Sequence, residues 1–411
     1  MTDAISPAEF AALMAPLGPF AGDRRIGVAV SGGADSMALV VLLRRWGRPF
    51  ACVVDHGLRP ESAEEAGLTM RRLAGLGVPA RLLRAHLSQG PSLAVRARTA
   101  RYALLEAACR HAGLADLVLG HHGRDQAETL LLRRAAGSGG SGLSAMAAIV
   151  HADAVRLLRP LLTMQPSRLR ATLQSAGVGW VEDPSNVNLA TPRARLRAGP
   201  LSDPAETARL GAEALVHGAA RSAVEVRAAL ELSAHAEIHP CGVAHVRACL
   251  GPQVLSALVW ALSGATHPPP SDGVARLVGS MRASTSYDGT LHGARVLPAG
   301  RLGPGWLLGR EAAAMEPAVS LDRYWDGRFQ AAPGRDTMHG VTLGPLGPDA
   351  AQLRRCSALP SALLQTLPTL RRNGAIVAVP HLCYPDAAAC RSALVWFRPA
   401  RPIAPAAFVT A

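Results

Sequence analysis

The sequence predicts an α/β protein: a doubly wound, mostly parallel sheet, followed by a long helix and a smaller C-terminal α+β region. Three observations carry that prediction. Short apolar runs alternate with helix-periodic stretches through the first two hundred residues, the pattern of strand–helix units in a parallel sheet. Turn residues follow the runs directly, as Ser31-Gly32-Gly33 and Asp55-His56-Gly57 do. Beyond residue 200 the alternation gives way to one long Ala/Glu/Arg stretch and then to Gly/Pro-rich sequence with short strand-like runs.

Taken in order, residues 26–30 form a near-continuous apolar run, the signature of a strand covered on both faces. Residues 34–46 place apolar side chains at helical spacing, and 50–54 read as a second buried strand. A helix over 61–76 and a short strand over 80–83 follow, then a long helix over 93–112 with arginines on one side. A strand over 117–120 precedes a helix over 124–135, which ends before the glycine-rich run Gly137-Ser138-Gly139-Gly140-Ser141-Gly142. The strand–helix pattern closes with 155–158 and 167–177. Residues 183–200 are rich in Pro, Asn and Arg, and 205–235 read as one helix. Strand-like runs then recur at 296–298, 306–308 and 376–379. The expected division is a catalytic domain over 1–200, a helical linker over 201–235 and a C-terminal region over 236–411 that contacts the partner.

Composition limits the chemistry. The 411 residues contain no lysine, so all 43 basic residues are arginine against 30 acids, a net charge of +13. A Walker A loop, a Schiff-base lysine and a protein kinase are thereby excluded, because each needs a lysine amine. A nucleotide would have to be held by backbone N–H groups, arginines and a metal. The excess charge points to a polyanionic partner, and it concentrates in residues 1–200 (+9) rather than 201–411 (+4). Aromatic residues are only 4%, so base stacking on rings is a minor recognition mode. The seven cysteines include no C-x-x-C pair, which suits reduced thiols in a cytoplasmic protein. No signal peptide is evident, and the longest apolar span, 254–262, falls far short of the roughly 20 residues a membrane helix needs.

Ser31-Gly32-Gly33-Ala34-Asp35-Ser36 lies between the first strand and its helix. Two glycines admit a phosphate close to the backbone, and the helix N-terminus supplies free N–H groups and a favourable dipole. Asp35 would repel a phosphate unless a divalent cation lies between them, which makes it a candidate oxygen ligand for Mg²⁺. An ordinary N-cap turn is the plainer reading of this hexapeptide alone.

The hexapeptide matches the S-G-G-x-D-S signature of the PP-loop ATP pyrophosphatases. Further motifs resemble the tRNA(Ile)-lysidine synthetase family within them. These are Val54-Asp55-His56-Gly57-Leu58-Arg59, Ala97-Arg98 with Arg101-Tyr102, and His121-His122 with Asp125-Gln126-Ala127-Glu128-Thr129. Gly137-Ser138-Gly139, Arg159-Pro160-Leu161-Leu162, Glu182-Asp183-Pro184-Ser185-Asn186 and the arginines 193, 195 and 197 follow in the family's order, across roughly residues 25–200. Trp325-Asp326-Gly327-Arg328-Phe329 and Val379-Pro380-His381 resemble the family's accessory part more loosely. Two positions depart from the pattern: Arg124 stands where a first aspartate is usual, and Ala136 where an arginine is usual.

The resemblance implies a PP-loop, Rossmann-like fold that uses ATP and Mg²⁺. It implies adenylation of C2–O of the wobble cytidine in the CAU anticodon of tRNA(Ile), followed by attack of free L-lysine. On this reading Ser31, Gly32, Gly33, Ala34, Asp35 and Ser36 bind ATP, and Asp35 also holds the metal. Asp35, Asp125, Glu128 and His121 are the catalytic candidates, with Asp55 a further carboxylate for the lysine. Arg98, Arg101, Arg193, Arg195 and Arg197 are candidates for tRNA. The last three alternate with Ala194 and Leu196, which in an extended segment puts three guanidinia on one side. Arg133 or Arg134 could replace the charge missing at Ala136. The histidine pair could equally be structural, and Arg98 and Arg101 could lie on a solvated face. Another PP-loop tRNA-modifying enzyme of thiolase type, or a non-catalytic ATP- and RNA-binding module, stays open as an alternative.

Overall fold

The computed structural model describes residues 3–57, 61–85, 90–152, 154–182, 191–331, 340–387, 390, 394–404 and 407–410. The chain forms two compact units, Met1–Ala223 with Ala406–Ala411, and Val224–Pro405.

The first unit is built from α1 (Pro7–Met14), β1 (Arg25–Val30), α2 (Ala34–Trp46), β2 (Arg48–Asp55), α3 (Ser62–Gly75) and β3 (Ala80–Arg84). These are followed by α4 (Leu93–His111), β4 (Asp116–Val118), α5 (Gly123–Ala135), α6 (Gly140–Leu143), β5 (Ile149–His151), β6 (Arg156–Leu158), α7 (Pro166–Ala176), α8 (Pro192–Ala198) and α9 (Pro204–His235). The six strands run in the order β3-β2-β1-β4-β6-β5. All neighbours are parallel except β5, which pairs antiparallel with β6 at the edge. The strand order therefore reverses between β1 and β4. In an open α/β sheet the crevice at such a switch point, outside the carboxyl ends of the strands, is where ligands bind.

Burial explains the doubly wound form. On one face Val28, Val30, Leu39, Leu42, Leu169 and Leu173 join β1, α2 and α7, and Phe10 and Met14 of α1 extend this core. On the other face Cys52, Leu105, Cys109, Leu117 and Leu157 pack α4 against the sheet. A Cβ on Gly27 would lie 2.8 Å from Cys109 Sγ, so the close approach of α4 to β1 requires glycine there. The expected strands and helices of this unit are present with ends shifted by one or two residues. The short amphipathic α1 lies outside the expected pattern. Residues 407–410 return to this unit: Phe408 is buried, Val409 packs on the main core, and Ala148 N–H donates to Val409 O at 2.8 Å.

One expectation is overturned. Residues 193–197 are helical rather than extended, because Thr191 Oγ1 accepts from Ala194 N at 3.2 Å as N-cap and Pro192 supplies a preset first turn. Alternation in sequence thus does not put three guanidinia on one side. Arg193 and Arg197, four apart, share a face, and Arg195 lies about 180° away from their mean direction at roughly 100° per residue. Of the family-like motifs, Leu58-Arg59 and Asp183-Pro184-Ser185-Asn186 lie outside the described residues.

The second unit begins within α9. It comprises β7 (Ala236–His239), β8 (Val243–Val246), α10 (Pro252–Ser263), α11 (Ser271–Ala283), β9 (Gly289–Leu291), β10 (Ala294–Pro298), β11 (Trp306–Arg310), β12 (Val319–Ser320) and β13 (Phe329–Ala331). β14 (Val341–Pro345), β15 (Pro368–Arg372), β16 (Ala375–Ala378) and β17 (Val395–Phe397) complete its described strands. The strands form antiparallel sheets, β7-β8-β11-β10-β9, β12-β14-β15-β16 and β13-β17. Leu255, Leu258, Leu262, Leu277 and Met281 of α10 and α11 pack on the first of them. The Trp325–Phe329 motif is core: Asp326 is fully buried between Arg310 (2.9 Å) and Arg328 (2.6 Å), and Trp325 stacks on Phe329 at 5.7 Å. Among the described residues no helix is long and apolar enough to cross a membrane.

Candidate active site

The loop after β1 is organised by its own side chains. Ser36 Oγ donates to Gly33 O at 3.0 Å and accepts Ser31 N–H at 3.2 Å. The Ser31 and Ser36 hydroxyls are also 3.2 Å apart. Gly33 is the N-cap of α2, extended and without a side-chain cap, so no cap side chain competes for the first amides of the helix. Gly32 has φ +84°, and a Cβ there would sit 2.2 Å from Thr69 Oγ1 of α3. Two separate constraints therefore demand glycine.

After β4 the chain passes directly beside this loop. A Cβ on Gly120 would lie 3.2 Å from Asp35 O, so Gly120 lets the ends of β1 and β4 converge. The next residues carry the site. His122 is buried, and its Nε2 lies 3.3 Å from Asp35 Oδ2. Its backbone N–H donates to Asp125 Oδ2 at 3.0 Å, as in a capping box at the start of α5, and its Nδ1 is 3.5 Å from the same oxygen. His122 thus stands between the loop carboxylate and Asp125. Burial alone would depress the His122 pKa, but Asp125 and Asp35 outweigh it and raise it above the usual histidine value. Burial likewise pushes Asp125 up, yet the two histidines, the His122 amide and Arg193 together hold it below the usual carboxylate value.

One turn along α5, Glu128 is fully buried and held by α8. Arg197 Nε donates to it at 2.6 Å, and Arg193 Nη1 lies 3.4 Å away. Both guanidinia also come within 3.9 Å of Asp125 Oδ1. Arg193, Arg197, Asp125 and Glu128 form one charge-balanced cluster. Asp55 turns inward on its own loop, accepting Gly57 N–H at 2.9 Å.

His121 has a different environment from its neighbour. Arg159 Nε donates to its Nδ1 at 3.3 Å. Burial, then Arg159, Arg101 and Arg98, lower its pKa to about 4 against the opposing pull of Asp125. Arg98 and Arg101 flank the Tyr102 ring at 5.1 and 5.5 Å, on α4. Arg101 also helps burial depress His56. Gln126 pins the following loop by exchanging hydrogen bonds with Met146 O (2.9 Å) and N (2.8 Å).

Arg133 Nη1 is committed to Gly142 O and Ala145 O at 2.7 and 2.9 Å, and Arg134 pairs with Glu213. Both arginines brace the glycine-rich turn and α9, so neither simply replaces a side chain at Ala136. Arg124 Nε is buried without a hydrogen-bond partner. The structure also brings in residues that the motifs left without roles. Gly120 is the close-contact position and His122 links two carboxylates. The Gly-His-His run at a strand end was the available signal for both.

The switch-point sheet, the serine–glycine loop and its helix define an ATP-binding PP-loop enzyme, and the PP-loop domain family matches residues 3–201. A tRNA(Ile)-lysidine synthase from Ruegeria pomeroyi is 36% identical over 368 residues, covering 85% of this chain and 83% of that protein. One from Caulobacter vibrioides is 32% identical over 84% of this chain and 83% of its own length. One from a Bradyrhizobium strain is 45% identical over 203 residues, where the match spans 47% of this chain and 56% of the relative. The chain belongs to the tRNA(Ile)-lysidine synthase family.

Proposed function

We propose that the chain joins free L-lysine to C2 of the wobble cytidine in the CAU anticodon of tRNA(Ile), in the cytoplasm and at the expense of ATP. The cytidine O2 attacks the α-phosphorus of ATP and pyrophosphate leaves. The lysine ε-amine then attacks C2, AMP departs with the oxygen, and the amine loses a proton. The observation that carries this reading is the chain of contacts from Asp35 through His122 to Asp125, which links the nucleotide loop to a carboxylate suited to an ammonium.

The residues divide the work. Ser31 to Ser36 hold the phosphates by N–H and hydroxyl groups. Mg²⁺ fits Asp35, a half-exposed carboxylate at a helix N-terminus, because this ion is commonly bound by one or two carboxylates together with substrate phosphates. When bound, the ion neutralises developing phosphate charge. Asp125 stays ionised to receive the lysine ammonium, Glu128 holds Arg193 and Arg197 in place, and Arg98, Arg101 and Arg195 meet the RNA backbone.

The test supplies ATP, Mg²⁺, radiolabelled lysine and a CAU-anticodon tRNA(Ile). Label enters the tRNA with release of AMP and pyrophosphate, and Asp35→Ala abolishes incorporation while tRNA binding persists. Labelling of a UAU-anticodon tRNA instead, or of neither, rejects the proposal. Full activity of Asp35→Ala rejects the metal assignment.

A further inference from the structure

Arg159 follows β6 and is used by no step above. It is buried, at 7% exposure, and its contacts are specific. Its Nη1 donates to Ala147 O at 2.7 Å, its backbone N–H to Ala148 O at 2.9 Å, and its Nε to His121 Nδ1 at 3.3 Å. A guanidinium has donors only. The ring nitrogen that receives it must carry a lone pair, so the proton of a neutral His121 ring lies on Nε2.

We propose that Arg159 is a positioning residue that holds His121 as a neutral Nε2–H donor, so that His121 gives a hydrogen bond to the substrate and does not accept its proton. The group received is an acceptor oxygen or nitrogen, from either the tRNA base or an ATP phosphate. This inference rests on the proposed reaction and assigns one residue's part in it. The charged groups around the ring agree with it: Arg159, Arg101 and Arg98 disfavour imidazolium, and only Asp125 opposes them. The support extends outward, since Ala148, which fixes the Arg159 backbone, is itself tied to Val409 O at 2.8 Å.

Two measurements on the full chain test the inference. Nitrogen NMR of ¹⁵N-histidine-labelled protein, with His121→Gln identifying the signal, reads the tautomer directly. At neutral pH the expected signal is a neutral ring protonated at Nε2. Arg159→Met mixes the tautomers, and Arg159→Gln, which keeps a neutral donor, restores the single form. In the lysine-incorporation assay, His121→Gln keeps an N–H donor but has no basic nitrogen. It retains activity within about tenfold of the unaltered chain, whereas His121→Ala falls at least a further tenfold. A rise in KM for ATP assigns the acceptor to phosphate, and a fall in kcat with tRNA saturating assigns it to the base. An Nδ1–H or charged ring, or a folded His121→Gln as inactive as His121→Ala, overturns the proposal. The NMR result does not depend on turnover. A chain that shows the tautomer but incorporates no lysine refutes the proposed reaction, not the Arg159–His121 arrangement.

Discussion

Glu128→Gln isolates the charge of the carboxylate at the centre of the α5–α8 cluster, because the amide has nearly the same shape and still accepts a hydrogen bond. Glu128 is fully buried, while Arg197 and Arg193 keep 27% and 46% of their side chains exposed. Breaking a fully buried pair by removing one partner costs about 3–5 kcal/mol, and exposed pairs contribute under about 1. One fully buried partner and two half-wet ones place this case near 2 kcal/mol. For a unit of this size each kcal/mol corresponds to about 2–4 °C, so the first unit should melt about 4–8 °C lower. Thermal unfolding of Glu128→Gln, Arg197→Met and the double variant gives the shift and its origin. The double variant should be less destabilised than the sum of the singles, since the uncompensated charge is gone. A shift below about 1 °C, or strict additivity, would refute the view that Glu128 anchors α8 electrostatically.

Three further outcomes follow from the geometry. Gly32→Ala meets both an unfavourable φ, at roughly 1–2 kcal/mol, and Thr69 Oγ1 at 2.2 Å, and should weaken ATP binding as measured calorimetrically. Thr69→Ala in the same chain should recover part of that loss, and no recovery would place the strain elsewhere. Because the folded pKa of Asp125 is depressed, its stabilisation is present above its unfolded pKa of about 3.9 and is lost as pH falls through the lower folded value. Asp125→Asn should therefore flatten the acid limb of a stability–pH curve below about pH 4, and an unchanged limb would contradict the assigned environment. Arg195→Ala should weaken tRNA binding and lower the salt slope by about 1, whereas an unchanged slope removes this residue from the RNA contact.

Much of the first unit was legible because its signals are local. The 26–30 run, the Ser31–Ser36 turn and the periodic 34–46 stretch each identify one element, and their order alone fixes a parallel sheet. The arginines at 193, 195 and 197 misled because alternation is also what a short helix shows when only every second residue is charged. The Thr191-Pro192 cap, a local helix-start signal, outweighed it. The roles within the site were not legible. Whether Glu128 meets a substrate or an arginine depends on residues 69 positions apart, and no spacing reports that contact. The different environments of His121 and His122 are similarly set by Arg159, just after β6, and Asp35, at the start of α2. In the second unit, Trp325 to Phe329 resembled the family's accessory part only loosely, and that the motif is buried in the core was not legible from its residues.

The return of residues 407–410 to the first unit has a consequence for how the protein is made. Phe408 packs on α9, where a Cβ on Gly218 would lie 2.9 Å from its ring, and the amide of Ala148 donates to Val409 O. On the ribosome, almost two hundred residues must be synthesised between Gly218 and the segment that covers it. Until then the nascent first unit lacks both the ring that packs on Gly218 and the acceptor for the Ala148 amide, six residues beyond Gly142 of the glycine-rich run. A chain lacking residues 407–410 would leave the Ala148 amide without that acceptor and the Gly218 surface uncovered, an opening at which proteolysis can begin.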